Sequence, residues 1–522
     1  MKIGLYSSEA AKKQPVVFAV LGCVLVLVML VLTLGCIWAV SSYDNISLEE
    51  VLFYLSMPLQ GTSREFTHTL ILRVFIPAGV LFVLFLAALF FPRGKDLCLI
   101  TKKGRRIRLL PLRIPAGAGA ALLLLWAAVI FPVGDRLLGI REFVDSRIHQ
   151  SRLIEERYVD PAKTAITFPE KKRNLITIYV ESAESTNQDV ANGGRMKDNY
   201  IPEMTQLMRE NLTFSQSELF EGAAVAPACG WTIAGLIAQT AGLPLKLFRY
   251  DDDGAVDNMG GDITQFLPGA TMLGDLLKDA GYRTVFMCGS DFDFGGRRRL
   301  YSKHGAYEIY DYYSAIEDGI APEGYYYGWG IEDLRLYGYA KEVLLRLQQD
   351  GQPFHFGLLT VDTHYPGWLC DQCPEGDGNT LGRVIRCSSK QVYDFVEWCK
   401  QQDFYENTTI VVTGDHASMD KSFYEEAGDS DKHNGTTERF VYNAFINSAA
   451  EPVETQNRKF TTLDFFPTVM AAMGCEIKGN RLGLGTNLFS SEQTLSEEMG
   501  YEAFFAELNR KSLFYDSKLL RN

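Results

Sequence analysis

Three apolar runs near the N-terminus, at residues 16–40, 70–91 and 114–133, constrain this chain more than any other feature. A helix needs about 20 apolar residues to cross a bilayer. A buried core helix of such length normally keeps a polar face, and these runs have none. The first run is too long for a signal peptide, and no clear small-residue cleavage site follows it. The three runs therefore read as membrane spans. Arg73, near the start of the second, falls at an interface where its side chain can snorkel toward water.

Charge around the runs sets an expected orientation. Lys2, Lys12 and Lys13 precede the first run. Arg93, Lys95, Lys102, Lys103, Arg105, Arg106, Arg108 and Arg113 lie between the second and third. The segment between the first and second is mostly acidic, with Asp44, Glu49 and Glu50. The positive-inside rule places the N-terminus and the basic segment in the cytoplasm, which leaves everything after residue 133 extracytoplasmic. With 522 residues, the chain needs at least two parts. The expected parts are a membrane domain at 1–133, an amphipathic connector at 134–170 and a catalytic domain at 171–522. In the connector, Leu137, Leu138, Ile140, Phe143, Val144 and Ile148 recur at helical spacing. It reads as a helix on the membrane surface or, equally, as one packed on the outer domain.

The net charge is −13, and the acidity lies after the apolar third. Such a surface excludes a nucleic-acid partner. An anionic substrate needs a local cation, either a metal or a few arginines. Of the ten cysteines, Cys229, Cys288, Cys370, Cys373, Cys387, Cys399 and Cys475 fall in the outer part, where disulfides are permitted. Cys370-x-x-Cys373 lacks a second pair to complete a zinc site, so a disulfide from this pair to Cys387 is the expectation.

After residue 170, compact apolar runs alternate with helical patterns. The strand-like runs are 175–180, 284–288, 354–361, 408–413 and 440–446. Continuous apolar strands between helices indicate an α/β domain with a mostly parallel sheet covered on both faces. Ligands of such sheets bind beyond the carboxyl ends of the strands. Those ends carry Glu181, then Ser290 and Asp291, then Asp362, Thr363 and His364, then Asp415 and His416.

Glu181, Asp415 and His416 form a mixed oxygen and nitrogen donor set, suited to Mn, Zn or, less well, Mg. Manganese is the expected ion. Thr232, in "CGWTIAGL", sits at or beside a helix N-terminus, where an oxyanion is stabilised. Metal contact would make its hydroxyl a competent nucleophile; the plainer alternative is a helix cap. Arg297, the first arginine of "GGRRRLY", is placed to clamp a phosphate. His364 is a candidate acid/base, and His433 a further candidate substrate contact.

The ordered motifs "IYVES", "GWTIAG", "DFGGR", "LYSKHG", "TVDTHYP", "TGDHASM", "TTLDFFPTVMAAMG" and "RLGLGTNLFS" resemble those of membrane phosphoglycerol transferases. This group includes the lipoteichoic-acid synthases and, more similar here, phosphoglycerol transferase I of glucan decoration. Both lie in the sulfatase-like branch of the alkaline-phosphatase superfamily. The resemblance covers residues 173–490. It implies that Glu181, Thr232, Asp415 and His416 hold the metal, that Thr232 is the nucleophile, and that Arg297 and His364 contact substrate. Three features depart from the pattern. Three spans stand where the lipoteichoic-acid synthases have five, Gly295 replaces an aromatic residue beside their substrate, and the long C-terminal extension of phosphoglycerol transferase I is missing. "CGWTIAG" also lacks the Pro and Arg that follow the modified Cys of formylglycine sulfatases.

The implied reaction has two steps. Thr232 takes phosphoglycerol from phosphatidylglycerol and releases diacylglycerol. An acceptor hydroxyl, on an envelope glycan or a polyglycerol phosphate, then receives the group with help from His364. The alternatives are a phosphoethanolamine transferase acting on lipid A or a glycan, and a catalytically inactive membrane sensor or scaffold.

Overall fold

The computed structural model describes all residues except 1, 8–15, 44–45, 57–63, 91–94, 102–105, 111–115, 247–248, 251–255, 258–266, 377, 429–438 and 521–522. Two compact units are present. One comprises Met1–Asn45 with Ser63–Arg141, the other Ile46–Thr62 with Glu142–Asn522.

In the first unit, Val20–Ser42 and Thr67–Ala87 are long and apolar enough to cross a membrane. The third run lies in helix Ala116–Leu138. It counts as a further span only when its described part, Leu123–Leu138, is joined across a bend to Ile140–Ile148. Lys2–Ser7 pairs antiparallel with Lys95–Ile100, which pairs in turn with Arg106–Leu110. The N-terminal segment and the basic segment thus share one small sheet, a pairing that composition does not suggest.

The second unit is built on a six-stranded sheet. Its strands are β1 (Asn174–Val180), β2 (Arg283–Cys288), β3 (Glu308–Tyr310), β4 (Phe354–Leu359), β5 (Thr408–Gly414) and β6 (Asn443–Ile446). The order across the sheet is β3-β2-β4-β1-β5-β6, and all neighbours are parallel except β5 and β6. Five of these strands match the apolar runs. The run at 440–446 divides: Phe440–Val441 pairs with Ala223–Ala224, and only Asn443–Ile446 joins the main sheet. β3 was not expected; it is short, and neither Glu308 nor Ile309 nor Tyr310 is fully buried.

The continuous apolar character of β1 follows from burial on both sides. Ile176, Ile178 and Val180 pack into a cluster with Leu336, Val343 and Phe395. Tyr179 packs on the other face with Leu236 and Phe286, and Leu175 with Leu273 and Phe465. Alternate residues point to opposite faces, so a strand between two helical layers has no polar side to show.

His355, in β4, is 1% exposed and lies between Tyr307 Oη (2.8 Å from Nδ1) and Thr177 Oγ1 (3.3 Å from Nε2). Burial pushes its imidazole pKa down to about 3. Between the ordinary histidine value near 6.5 and that folded value, the unfolded chain binds a proton that the folded chain does not. His355 therefore makes stability fall with decreasing pH through this window, by up to about 1.4 kcal/mol per pH unit. In denaturant titrations from pH 7 to pH 4, His355→Gln should show a shallower pH dependence than the wild type. An identical slope would exclude this role.

Candidate metal and nucleophile site

Four parallel strands end at the same edge of the sheet and deliver the polar residues there. β1 leads into Glu181, β4 into Thr360–His364 and β5 into Asp415 and His416; β2 leads into the loop that carries Ser290 and on to Arg297, the first residue of the helix Arg297–Lys303. His416 Nε2 is the point of convergence. It lies 3.4 Å from Glu181 Oε1, 3.4 Å from Asp415 Oδ2 and 3.3 Å from Thr232 Oγ1.

The backbone around these groups is arranged to hold them. Asp415 Oδ1 accepts from the N–H groups of Ser182 (2.8 Å) and His416 (2.9 Å). Asp415 Oδ2 is buried without a hydrogen bond. Ser182 adopts φ 53° and donates its hydroxyl to Glu181 Oε1 at 2.7 Å. His416 Nδ1 faces the carbonyl of Ala417 at 2.8 Å. That bond fixes a proton on Nδ1 and turns Nε2 toward the cluster.

Thr232 is the first residue of helix α2 (Thr232–Ala241), and its N-cap is Trp231. The first intrahelical bond runs from Gly235 N–H to Trp231 C=O at 2.8 Å. The three preceding N–H groups are left for an external acceptor. Gly235 explains how α2 comes so near the ligands. A Cβ there would lie 2.1 Å from the carbonyl oxygen of Asp415. Gln239 adds a hydrogen bond to Gly414 C=O at 2.7 Å. The helix thus lies directly on the end of β5.

Burying Glu181 and Asp415 together is electrostatically costly. Burial, then the Glu181 charge, pushes the Asp415 carboxyl up. For His416, burial pulls the imidazole down, but Asp415 and Glu181 outweigh it and the pKa rises. Two adjacent carboxylates, an imidazole whose Nε2 faces them and an orphaned carboxylate oxygen form a donor set that fits a divalent cation in exchange for the His416 proton.

The remaining expected residues are placed as follows. His364 packs edge-on against Trp329 with ring centroids 4.6 Å apart, and its Nδ1 faces its neighbour's carbonyl, Tyr365 O, at 3.0 Å. Burial pushes its pKa down to about 4. Arg297 is buried and uses Nε and Nη2 to bind Phe294 O, Ser290 Oγ and Asp291 O. Its Nη1 makes no hydrogen bond among the described residues. Arg298 instead pairs with Asp293 and Asp311. His433 lies outside the described residues. The expected disulfide is not formed: Cys370 Sγ is 3.7 Å from Cys373 Sγ and 3.5 Å from Cys387 Sγ.

Sequence reasoning missed helix α1 (Leu48–Ser56), from the segment between the first two apolar runs. It folds as part of the catalytic unit. Phe53 contacts Trp231 (centroids 5.9 Å), and Tyr54 stacks on Phe294 (5.5 Å). Glu49 pairs with Arg147 at 2.6 Å. Glu50 is 7% exposed; burial pushes its carboxyl up to about 7, while the His416 charge pulls it back. A capping signal was legible, because "SLEE" places Glu50 three residues after Ser47, whose hydroxyl accepts the Glu50 N–H at 3.1 Å. Nothing local linked it to strand ends more than a hundred residues away. Glu184 and Arg439 were missed as well. Their buried ion pair braces the ligand loop, since Glu184 Oε1 also accepts from Ser418 N–H at 2.9 Å.

These features define an α/β protein with carboxylates, an imidazole and a helix-terminal hydroxyl gathered at the carboxyl edge of a mostly parallel sheet. More narrowly, the sulfatase family model matches residues 173–475, over half the chain, and the chain belongs to that family. Phosphoglycerol transferase I of Xanthomonas axonopodis pv. citri (strain 306) is 30% identical over 330 residues, which are 62% of this chain and 43% of that protein. The protein of the same name from Escherichia coli O6:K15:H31 (strain 536 / UPEC) is 29% identical over 371 residues, 70% of this chain and 44% of that one. The chain thus matches less than half the length of these curated relatives. The crystal structure of the lipoteichoic acid synthase LtaP from Listeria monocytogenes superposes with a TM-score of 0.48 at 16% identity, over 65% of this chain and 82% of that one.

The contact at Gly235 gives a direct test. Gly235→Ala should push α2 away from Asp415 and destabilise the fold by about 1–3 kcal/mol. Unfolding midpoints would show the loss, and an unchanged midpoint would mean that the two backbones are free to separate.

Proposed function

We propose that this protein transfers phosphoglycerol from phosphatidylglycerol to a hydroxyl of an envelope glycan or polyglycerol phosphate, with Thr232 as the covalent relay. The observation that carries this reading is the convergence of Thr232 Oγ1, Glu181, Asp415 and His416 on one point at the N-terminus of α2. The relatives named phosphoglycerol transferase I support the choice of group.

In this reading Glu181, Asp415, His416 and Thr232 hold a divalent cation, manganese by preference and Mg or Zn otherwise, which lowers the pKa of a bound hydroxyl and offsets phosphate charge. Thr232 Oγ1 attacks phosphorus. The new Thr–O–P bond forms as the bond from phosphorus to the diacylglycerol oxygen breaks, and that oxygen leaves with a proton. The N–H groups at the start of α2 hold a phosphate oxygen. Arg297, with Nη1 turned from its structural bonds, contacts the phosphoglycerol. His364 is neutral near pH 7 because burial depresses its pKa, and its Nδ1 is occupied by Tyr365 O. Its Nε2 takes the proton of the acceptor hydroxyl as that oxygen displaces Thr232, whose oxygen regains a proton. His433 remains a proposed substrate contact.

The topology proposed is a three-span membrane domain at residues 1–133, with a cytoplasmic N-terminus and an extracytoplasmic catalytic domain. Two strand and helix placements support it. α1, between the first two apolar runs, folds with the catalytic unit, so both belong on one side of the membrane. Lys2–Ser7 pairs with Lys95–Ile100, so those segments share a side as well. A membrane tether also keeps the site near a lipid donor, which raises its effective concentration.

Purified protein supplied with Mn and labelled phosphatidylglycerol should release diacylglycerol. Thr232→Ala should lower that rate by roughly 10³-fold or more. Equal release by both proteins would refute the nucleophile, and consumption of phosphatidylethanolamine instead would refute the donor. His364→Gln should slow transfer to the acceptor by roughly 10²-fold while the first diacylglycerol burst persists. Asp415→Asn should lose the bound divalent metal from this centre in elemental analysis; full retention there would refute the ligand set.

A further inference from the structure

A second cluster of metal-ligating side chains lies apart from the centre just described. Cys370 and Cys373 sit in the loop after β4, and Cys387 sits in helix α3 (Thr380–Lys400). Their three Sγ atoms all lie within 4.8 Å of one another. The two closest separations, 3.5 and 3.7 Å, match the edge of a tetrahedron whose metal–sulfur bonds are about 2.3 Å.

The surroundings are those of a cation site. The Cys370 backbone N–H donates to Cys373 Sγ at 3.3 Å, and the Cys373 N–H closes the C-x-x-C turn on the Cys370 carbonyl at 3.1 Å. An N–H aimed at sulfur stabilises a thiolate. Gln391 Nε2 lies 3.3 Å from Cys370 Sγ and 3.2 Å from Cys387 Sγ. Asp333 and Asp362 line the same small cleft as Cys373 and Cys387. Both carboxylates are buried, and among the described residues neither forms an ion pair. Two further atoms stand unused. Ser388 Oγ and Gln391 Oε1 are buried in that cleft without a hydrogen-bond partner. Buried oxygen without a partner is costly unless something else occupies the space. The two carboxylates are held by backbone N–H groups, Asp333 by Val361 and Asp362 and Asp362 by Asp333, while three converging sulfurs and two orphaned oxygens around the cleft suit a bound cation.

We propose that Cys370, Cys373 and Cys387 hold a thiolate-seeking divalent cation of the zinc class, structurally separate from the Glu181–Asp415–His416 centre. The fourth position falls to an oxygen of the cleft. The bound ion would tie the loop after β4 to α3. That loop also carries Thr363, whose hydroxyl donates to Glu181 C=O at 2.6 Å, and His364, which packs on Trp329. Cys370 lies six residues beyond His364. The clamp therefore acts as a positioning device for one wall of the site.

The test uses the full chain purified in detergent under anaerobic conditions, with Zn2+ and Co2+ as probes. Wild-type protein loaded with Co2+ should show intense near-ultraviolet thiolate-to-cobalt charge transfer. Asp415→Asn should keep that band, whereas Cys370→Ser and Cys387→Ser should lose it along with one equivalent of zinc. The wild-type spectrum alone decides the matter if the cysteine variants do not fold. Absence of the band, or a zinc content that the cysteine substitutions leave unchanged, would overturn the proposal. So would a disulfide between any two of the three in non-reducing peptide maps of protein taken directly from the envelope. None of these readouts depends on transferase activity.

Discussion

Glu181 and Asp415 are buried side by side at the carboxyl edge of the sheet, each 3.4 Å from the same imidazole nitrogen. Like charges in a low-dielectric interior repel strongly, so the Asp415 carboxyl is pushed up and the pair is relieved by a proton or by positive charge beside it, from His416 or a cation. Much of the surrounding structure follows from that tension. Asp415 Oδ1 is held by two backbone N–H groups, which leaves Oδ2 free to face inward. His416 spends Nδ1 on a carbonyl and presents Nε2. Glu184 and Arg439 pin the loop beyond His416, and Gly235 lets a helix N-terminus approach within reach of the cluster.

The same edge gathers parts from distant stretches of chain. α1 comes from between two apolar runs, Thr232 from a turn, and His364 from the loop after β4. A parallel sheet brings strand ends together automatically, because every strand in it points the same way. α1 reaches the site by a different route, through Phe53 on Trp231 and Tyr54 on Phe294.

How much was legible depended on whether a residue's role is local. Glu181, Asp415 and His416 each follow an apolar strand directly, so the strand pattern alone places them at one edge. Thr232 stands two residues after Gly230 and opens a helical pattern, and it is indeed the first helical residue. Glu50 resembles any capped, acidic helix start, and its proximity to His416 arises only from packing. Gly235 looks like an ordinary, slightly unfavourable helix glycine until the carbonyl of Asp415 is found against it. The run at 440–446 reads as one strand because apolar alternation does not reveal a change of partner at Tyr442. The cysteines show the same limit: the C-x-x-C pair is visible in the sequence, but the geometry of Cys387 relative to it is not.

The amino-acid sequence by itself determined the apolar runs, the α/β alternation, the net negative charge and the identity of the polar residues at the strand ends. These rest on periodicity and on composition over short windows, which local physics sets. Tertiary structure decided which ends meet, which oxygen of Asp415 stays unpaired, where α1 packs and how three cysteine sulfurs come within 4.8 Å of one another. Those outcomes depend on contacts between residues far apart in the chain, and such contacts exist only once both faces of the sheet are covered.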